Sequence, residues 1–375
     1  MTGDLSAVLA EAAALAVASG ELPDGADLSR LPALATGTWR PVPPEAGGGP
    51  GSYATTLPFV LARRLAAAPA RVAAVLAAAL RSVPEEGSHV RLSDVRVTGR
   101  GYLCLTVTPG ALAGLVARIT AAGPGCARSL ALDGTRVTAP RDARLASAPD
   151  WRVARERLTA EQAGRLAEAA GAEVTWIPAR PEEPGPGPAG PVAEAIAYAG
   201  EDAVRFALSL LASGVPRPPG PGLDPRAVAA QHLGNPAYAV RYAHAHAASA
   251  LRQAADLGLP GQDAERFQPC LLAHPSEQVL LDAMSWLPER VAGAARRRQP
   301  HVVAAYLEEL AGRYFGWQEA CPVMGPGSVP PGPPPAGGAP AGGELIQARL
   351  QLASAARTVL GTGLRLLGIN APGRM

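Results

Sequence analysis

Apolar residues recur at helical spacing over residues 56–83, where Leu57, Val60, Leu61, Leu65, Val72, Val75, Leu76, Ala79 and Leu80 repeat every three to four positions. Pro69 interrupts this stretch. A proline drives the residue before it out of the α region, so the pattern predicts two helices with a break near Ala68. From Val90 to Gly110 the period changes: VRLSDVRVTGRGYLCLTVTPG alternates polar and apolar residues across Gly99-Arg100-Gly101, the pattern of a β-hairpin. ALAGLVARITAAG then returns to helical spacing, and helices laid on a small antiparallel sheet make an α+β module. Further on, RSLALDGTRVTAP reads as a short strand pair around Asp133-Gly134. LTAEQAGRLAEAAG reads as an amphipathic helix capped by Thr159 and closed at Gly171, and AEVTWIPAR as one strand. From Pro191 the pattern is helical to the end, with Asn235 as an N-cap and Pro236 at the first helical position. Five or so helices on short loops predict an all-α bundle.

Three Pro/Gly runs punctuate the chain at 41–51, 181–191 and 325–343, and such runs sustain neither a helix nor a sheet ladder. They divide it into a leader and Pro/Gly linker (1–50), an α+β domain (51–126), a short connecting region (127–190) and a helical domain (191–375) with a Pro/Gly loop at 325–343. The expected fold class is mainly α: a C-terminal all-α bundle with a small N-terminal α+β domain.

Composition sharpens this picture. Hydrophobic residues make up 48% of the chain but aromatics only 4%, so the core is built from Ala, Leu and Val, which favours helix packing. With 34 basic and 32 acidic residues the net charge is +2, which excludes a bulk polycation that coats nucleic acid by charge alone. Every basic residue is Arg. The absence of lysine removes Schiff-base chemistry and the phosphate-loop lysine from consideration. Positive charge concentrates in 51–126, where eight Arg face Glu85, Glu86 and Asp94, a net of +5. That is either a solvated helix surface or a phosphate-contacting patch. The four cysteines form no CxxC pair and read as buried free thiols of a reducing compartment. The first residues lack the basic start of a secretory signal, and no apolar run reaches membrane-spanning length. The expectation is a soluble, cytoplasmic protein without a membrane partner.

The common catalytic signatures are missing: there is no GxSxG, no HExxH and no His/Cys cluster at metal spacing, so no catalytic residue and no metal ligand is expected. His244 and His246, two apart on a helix, look to different sides. A helical wheel from Pro236 puts Val240, Ala243, Ala247, Leu251 and Ala254 on one face. Tyr238, Arg241, Tyr242, Ala245, Ser249 and Arg252 fall opposite. Two tyrosines one turn apart, flanked by arginines, offer stacking surfaces and phosphate donors together; the alternative is that both rings pack on a neighbouring helix. The pattern is that of a binder before a catalyst.

NPAYAVRYAHAHAASALRQA resembles the Asn-Pro-x-Tyr-x-Val-x-Tyr-Ala-His helix of the arginyl-tRNA synthetase anticodon-binding domain, with Asn235, Pro236, Tyr238, Val240, Tyr242, Ala243 and His244 matching. His246 stands where that family usually has Arg. EDAVRFALSLL is similar to the DALR segment that opens the same domain, through Asp202, Ala203, Arg205 and Phe206. The final Ala371, Pro372, Arg374 and Met375 match its terminal motif. More weakly, 51–126 resembles the family's tRNA-body-binding domain: Gly99, Gly101 and Tyr102 fit its Gly-x-Gly-Phe strand, Cys104 replaces Asn, and Ala54-Thr55-Thr56 replaces Gln-Ser-Asn. The resemblance implies tRNA as partner, arginine tRNA first among candidates. It implies anticodon contacts by Tyr238, Arg241, Tyr242, His244, Arg374 and Met375, and body contacts by Arg63, Arg64, Arg71 and Tyr102. Such synthetases carry a Rossmann core with a His-x-Gly-His signature between these two ends. Here only 127–190 lie between them, and no His-x-Gly-His occurs. The expectation is therefore a non-catalytic tRNA-binding relative without cofactor. Two alternatives stay open: an arginine–tRNA ligase using ATP and Mg²⁺ whose core comes from a separate synthetase or other partner, and a protein–protein scaffold.

Overall fold

The computed structural model describes residues 1–26, 28, 38–83, 90–178, 190–211, 223–259, 267–323 and 341–375. The Pro/Gly runs 181–191 and 325–343 fall largely outside the described residues, as do Glu85 and Glu86.

Residues 1–50, expected as leader and linker, contribute a core helix and an edge strand. Helix α1 (Thr2–Ala18) buries Leu5, Leu9, Ala12, Ala13 and Ala16. Strand β1 (Trp39–Pro41) pairs antiparallel with β2 (Ser52–Thr55). The first Pro/Gly run is the connection between those strands, and Gly47 turns it with a positive φ of 75°. The two helices around Pro69 form as the periodicity predicts: α2 (Leu57–Leu65) and α3 (Pro69–Ser82). The hairpin is β3 (Leu92–Thr98) with β4 (Tyr102–Val107), and the sheet order is β1-β2-β4-β3, antiparallel throughout. Helices α4 (Pro109–Ala113) and α5 (Leu115–Ala122) follow.

The connecting region is a β-α-β unit. The strand pair expected at Asp133-Gly134 is instead one strand, β5 (Arg136–Pro140), parallel to β6 (Glu173–Ile177). Helix α6 (Trp151–Ala169) bridges them. It starts eight residues before Thr159, because the Asp150 carboxylate accepts the Val153 N–H at 2.8 Å and caps it there.

The C-terminal part is all-α: α7 (Pro191–Ala199), α8 (Glu201–Leu211), α9 (Pro225–Ala229), α10 (Pro236–Asp256), α11 (Pro275–Ser285), α12 (Leu287–Arg297), α13 (His301–Ala320) and α14 (Ala341–Leu366). SEQVLLDAMSWLPERVAGAARRR forms two helices. Trp286 ends α11 and opens α12, and Pro288 sits in the first turn of the second. One apolar core runs from α1 through the sheet into the bundle. The N-terminal module is fastened to α11 by three contacts. The Tyr53 hydroxyl donates to Ser285 Oγ at 2.8 Å, the Gly51 N–H donates to Asp282 Oδ1 at 2.9 Å, and the Tyr53 and Trp286 rings lie 5.0 Å apart.

The β-α-β unit is fastened through buried polar groups on α6. Glu161, 1% exposed, accepts from Arg205 Nη1 at 3.0 Å, Arg165 Nε at 2.9 Å and the Ala143 N–H at 2.9 Å. Beside it the Gln162 amide donates to Ser209 Oγ and to the Leu367 carbonyl, both at 2.8 Å. The arginine of the Asp-Ala-x-Arg-Phe segment is thus a buried structural cation.

Candidate nucleic-acid interface

The first candidate surface is built on α10. Asn235 sets where that helix begins: its Oδ1 accepts the Ala237 N–H at 3.1 Å, while its Nδ2 donates to the carbonyls of Val228 and Ala230. The four-residue spacing then stacks Tyr238 on Tyr242, with centroids 5.3 Å apart and planes at 13°. Phe315 of α13 extends the stack, 5.8 Å from Tyr242 at 22°. His246, one turn further, tilts against Tyr242 and shares a 2.9 Å hydrogen bond with the Tyr314 hydroxyl. Burial lowers the His246 pKa and raises that of Tyr314, so the pair is neutral.

This geometry corrects the wheel. Tyr238 and Tyr242 are half-buried rather than free, and Ala245 of the same set is buried, because α13 covers part of the face that a single helix leaves open. Arg241 leans toward Asp202 of α8, its Nη2 3.9 Å from Oδ2.

His244 points inward. Its ring is buried, and Nδ1 donates to the Pro372 carbonyl at 2.8 Å. Burial lowers its pKa, helped by Arg357 and Arg365 against the opposing effect of the Pro372 carbonyl. Expected among the anticodon contacts, His244 instead holds the tail that follows α14. Two more contacts hold that tail: Arg252 Nη1 donates to the Gly373 carbonyl at 2.8 Å, and the Asn370 N–H donates to Asp202 Oδ1 at 3.1 Å. Arg374 and Met375 extend beyond these contacts and are exposed. By helical phase, the tail and the tyrosine stack occupy adjoining sectors of α10. Phe315 and the Asp202–Asn370 link were not singled out from sequence; the aromatic run Tyr314-Phe315 opposite the α10 tyrosines was the available signal.

The second candidate surface is basic and lies on the N-terminal module. Arg63 and Arg64 project from the last turn of α2, where a cation suits the helix dipole, and Arg71 from the first turn of α3; all three are exposed. Gly101 brings the hairpin against α3. It has φ of 126°, and a Cβ there would lie 2.8 Å from the Pro69 carbonyl carbon, so no side chain fits. The next residue, Tyr102, is 45% exposed, with its ring edge-on to Phe59 at 5.0 Å. The positive charge of the segment is only partly available. Arg118 pairs with Asp4 at 3.3 Å, Arg96 pairs with Asp94, and Arg81 donates to the Val95 carbonyl.

The cysteines are free, but only Cys104 and Cys321 are buried; Cys270 is exposed, against the expectation for all four.

The DALR anticodon binding domain family matches residues 240–375. An arginine–tRNA ligase of Paenarthrobacter aurescens is 37% identical over 180 residues, 48% of this chain and 30% of that protein. One from Frankia alni is 42% identical over 178 residues, 47% of this chain and 29% of that protein. The chain therefore spans less than a third of the length of these relatives. Among solved structures, an arginyl-tRNA synthetase of Thermus thermophilus aligns with 64% of this chain and 41% of its own, at 24% identity and a TM-score of 0.35.

Proposed function

Starting from a chain related to the arginyl-tRNA synthetases that carries a DALR anticodon-binding domain, we propose that it is a non-catalytic tRNA-binding protein. The observation that carries this reading is the half-exposed stack Tyr238–Tyr242–Phe315 beside a pinned tail that ends in exposed Arg374 and Met375. An anticodon loop presents unstacked bases, and proteins read such bases by aromatic stacking and hydrogen bonds to their edges. Tyr238, at the end of the stack, supplies a ring face that Tyr242 backs, and Arg374 and Arg241 supply donors. The exposed Arg63, Arg64 and Arg71, with Tyr102 beside them, form the second contact, on the tRNA body; their role is to neutralise phosphates. Neither contact requires ATP, Mg²⁺ or another cofactor. On this reading the protein works in the cytoplasm, where it presents tRNA, arginine tRNA first among candidates, to an enzyme that makes or uses aminoacyl-tRNA.

The deciding experiment measures binding and charging together. Purified protein titrated into labelled arginine tRNA should bind with salt-sensitive affinity. With arginine, ATP, Mg²⁺ and the same tRNA it should form no arginyl-tRNA above background. Failure to bind any tRNA refutes the proposal; charging by the protein alone refutes its non-catalytic half. The names of its relatives favour one second reading, ligase activity completed by a partner chain, for which charging would appear only when that partner is added.

A further inference from the structure

Between the β1–β2 connection and helices α11–α13 lies a cleft of about 460 Å³, within the range of small-molecule sites. One wall, Pro41 to Pro50, presents Pro41, Val42 and glycine backbone. The other is helical and carries four charged side chains: Asp282, Arg290, Glu309 and Arg313. Three of the four are matched. The two Asp282 oxygens face the Gly51 N–H at 2.9 Å and the Trp286 indole N–H at 3.4 Å, and burial pushes this carboxyl above the usual carboxylate range. Glu309 and Arg313 form an ion pair at 3.8 Å. The Tyr306 hydroxyl, also at the cleft, donates to the Ala283 carbonyl at 3.0 Å. Arg290 remains: its Nε is buried, and among the described residues its guanidinium has neither a hydrogen-bond acceptor nor an ion-pair partner.

The Arg290 side chain as a whole is half-buried, and a buried donor such as its Nε without an acceptor is costly. We infer that this cleft binds a small organic oxyanion, a carboxylate or a phosphate ester, with its charge on Arg290 and its apolar body against the Pro41–Pro50 wall. The one of these four side chains left without a partner among the described residues is a guanidinium, which selects an anion. The cleft is much larger than a bare phosphate and one wall is apolar, which selects an anion with an organic body. The inference is independent of the tRNA reading, since none of the residues proposed for tRNA lines the cleft. Two sources share the chemistry: a free metabolite-sized anion, and a nucleotide phosphate of a bound RNA.

The test uses the full chain and phenyl phosphate as probe, read by titration calorimetry, with benzyl alcohol as the uncharged control. Saturable binding of phenyl phosphate is expected, with no comparable binding of benzyl alcohol. Arg290→Met keeps the aliphatic stem and removes the charge; it should weaken binding by at least about tenfold, the usual loss of a charge-assisted hydrogen bond. It should leave the melting temperature equal or higher. Arg136→Gln, which removes an exposed arginine outside both the cleft and the residues proposed for tRNA, should leave phenyl phosphate binding unchanged. Displacement of the probe by tRNA would identify an RNA phosphate as the natural oxyanion and absence of displacement a small molecule; either result supports the site. Non-saturable binding, equal affinity in Arg290→Met, or a lowered melting temperature that reveals a folding role for the guanidinium would overturn it.

Discussion

Replacing Glu161 with Ala should destabilise the protein by about 3 kcal/mol. The carboxylate is 1% exposed and accepts three hydrogen bonds, two of them from arginines. Breaking a buried ion pair by removing one partner costs about 3–5 kcal/mol, mostly because the other charge is stranded. Here the stranding is incomplete. Arg205 keeps Glu201 at 2.8 Å and Asp142 at 3.6 Å, and Arg165 is exposed enough to turn to water. The Ala143 N–H loses its acceptor outright. These facts favour the low end of the range. Glu161→Gln keeps the volume and one acceptor oxygen and should cost about half as much. A chain of this size loses about 2 °C per kcal/mol, so melting temperatures should fall by about 6 °C for Ala and about 3 °C for Gln. Thermal melts followed by circular dichroism, backed by urea titrations, read this directly. A Glu161→Ala protein melting within about 1 °C of wild type would refute the claim that Glu161 fastens the β-α-β unit to the bundle.

Tyr238→Ala should weaken tRNA binding by about 1–3 kcal/mol, the usual loss of a stacked base, and Tyr242→Ala should weaken it too, by removing the ring that backs Tyr238. Because the Tyr242 ring packs on both Tyr238 and Phe315, that variant should lose about 1–2 kcal/mol of stability as well; a full-sized stability loss with unchanged RNA affinity per folded molecule would make the residue purely structural. Neutralising Arg63, Arg64 and Arg71 together should flatten the dependence of log affinity on log salt by about 2–3 units, at about 0.7–0.9 per phosphate; an unchanged slope would locate the phosphate contacts elsewhere. The pKa of His244 is lowered below 6.5 in the fold, so the unfolded chain binds the proton first as pH falls. Stability is therefore complete above about pH 6.5 and declines as pH falls below it. His246 and His301 act with the same sign. Melts at about pH 7.5 and about pH 5.5 should show this decline, and it should be smaller in His244→Asn; a variant with the wild-type pH dependence would remove His244 from the account.

Local patterns carried the fold where neighbours in space are neighbours in sequence. The Pro69 break, the β3–β4 hairpin and the Asn235 cap all depend on contacts within a few residues, and each could be read from residue type. The β-α-β unit could not. Its strands are five residues long and pair across 37 positions, Arg136 with Glu173, and parallel pairing leaves no turn signature. The start of α6 was missed because WRVARER is too highly charged to show a stripe, while the signal that matters there is the Asp150 cap. The candidate site was half legible. Two tyrosines one turn apart imply a stack, and the structure has one. The wheel of one helix cannot show that α13 brings Phe315 to the same rings, nor that His244 turns inward to the tail. Those facts depend on what packs around α10.

The fastening of the N-terminal module to α11 through Tyr53–Ser285 and Gly51–Asp282 fixes the separation between the basic surface and the α10 surface. Two contact points on a stiff body behave as a calliper. A ligand that reaches both gains the effective concentration of the second contact without further ordering of the protein, whereas one of the wrong span gains nothing from it. Selectivity among RNAs would then follow from the distance and angle between their arms as much as from the bases in any loop. Tyr53→Phe and Asp282→Asn together would leave each jaw intact and loosen the gauge, with the shared apolar core still joining the two.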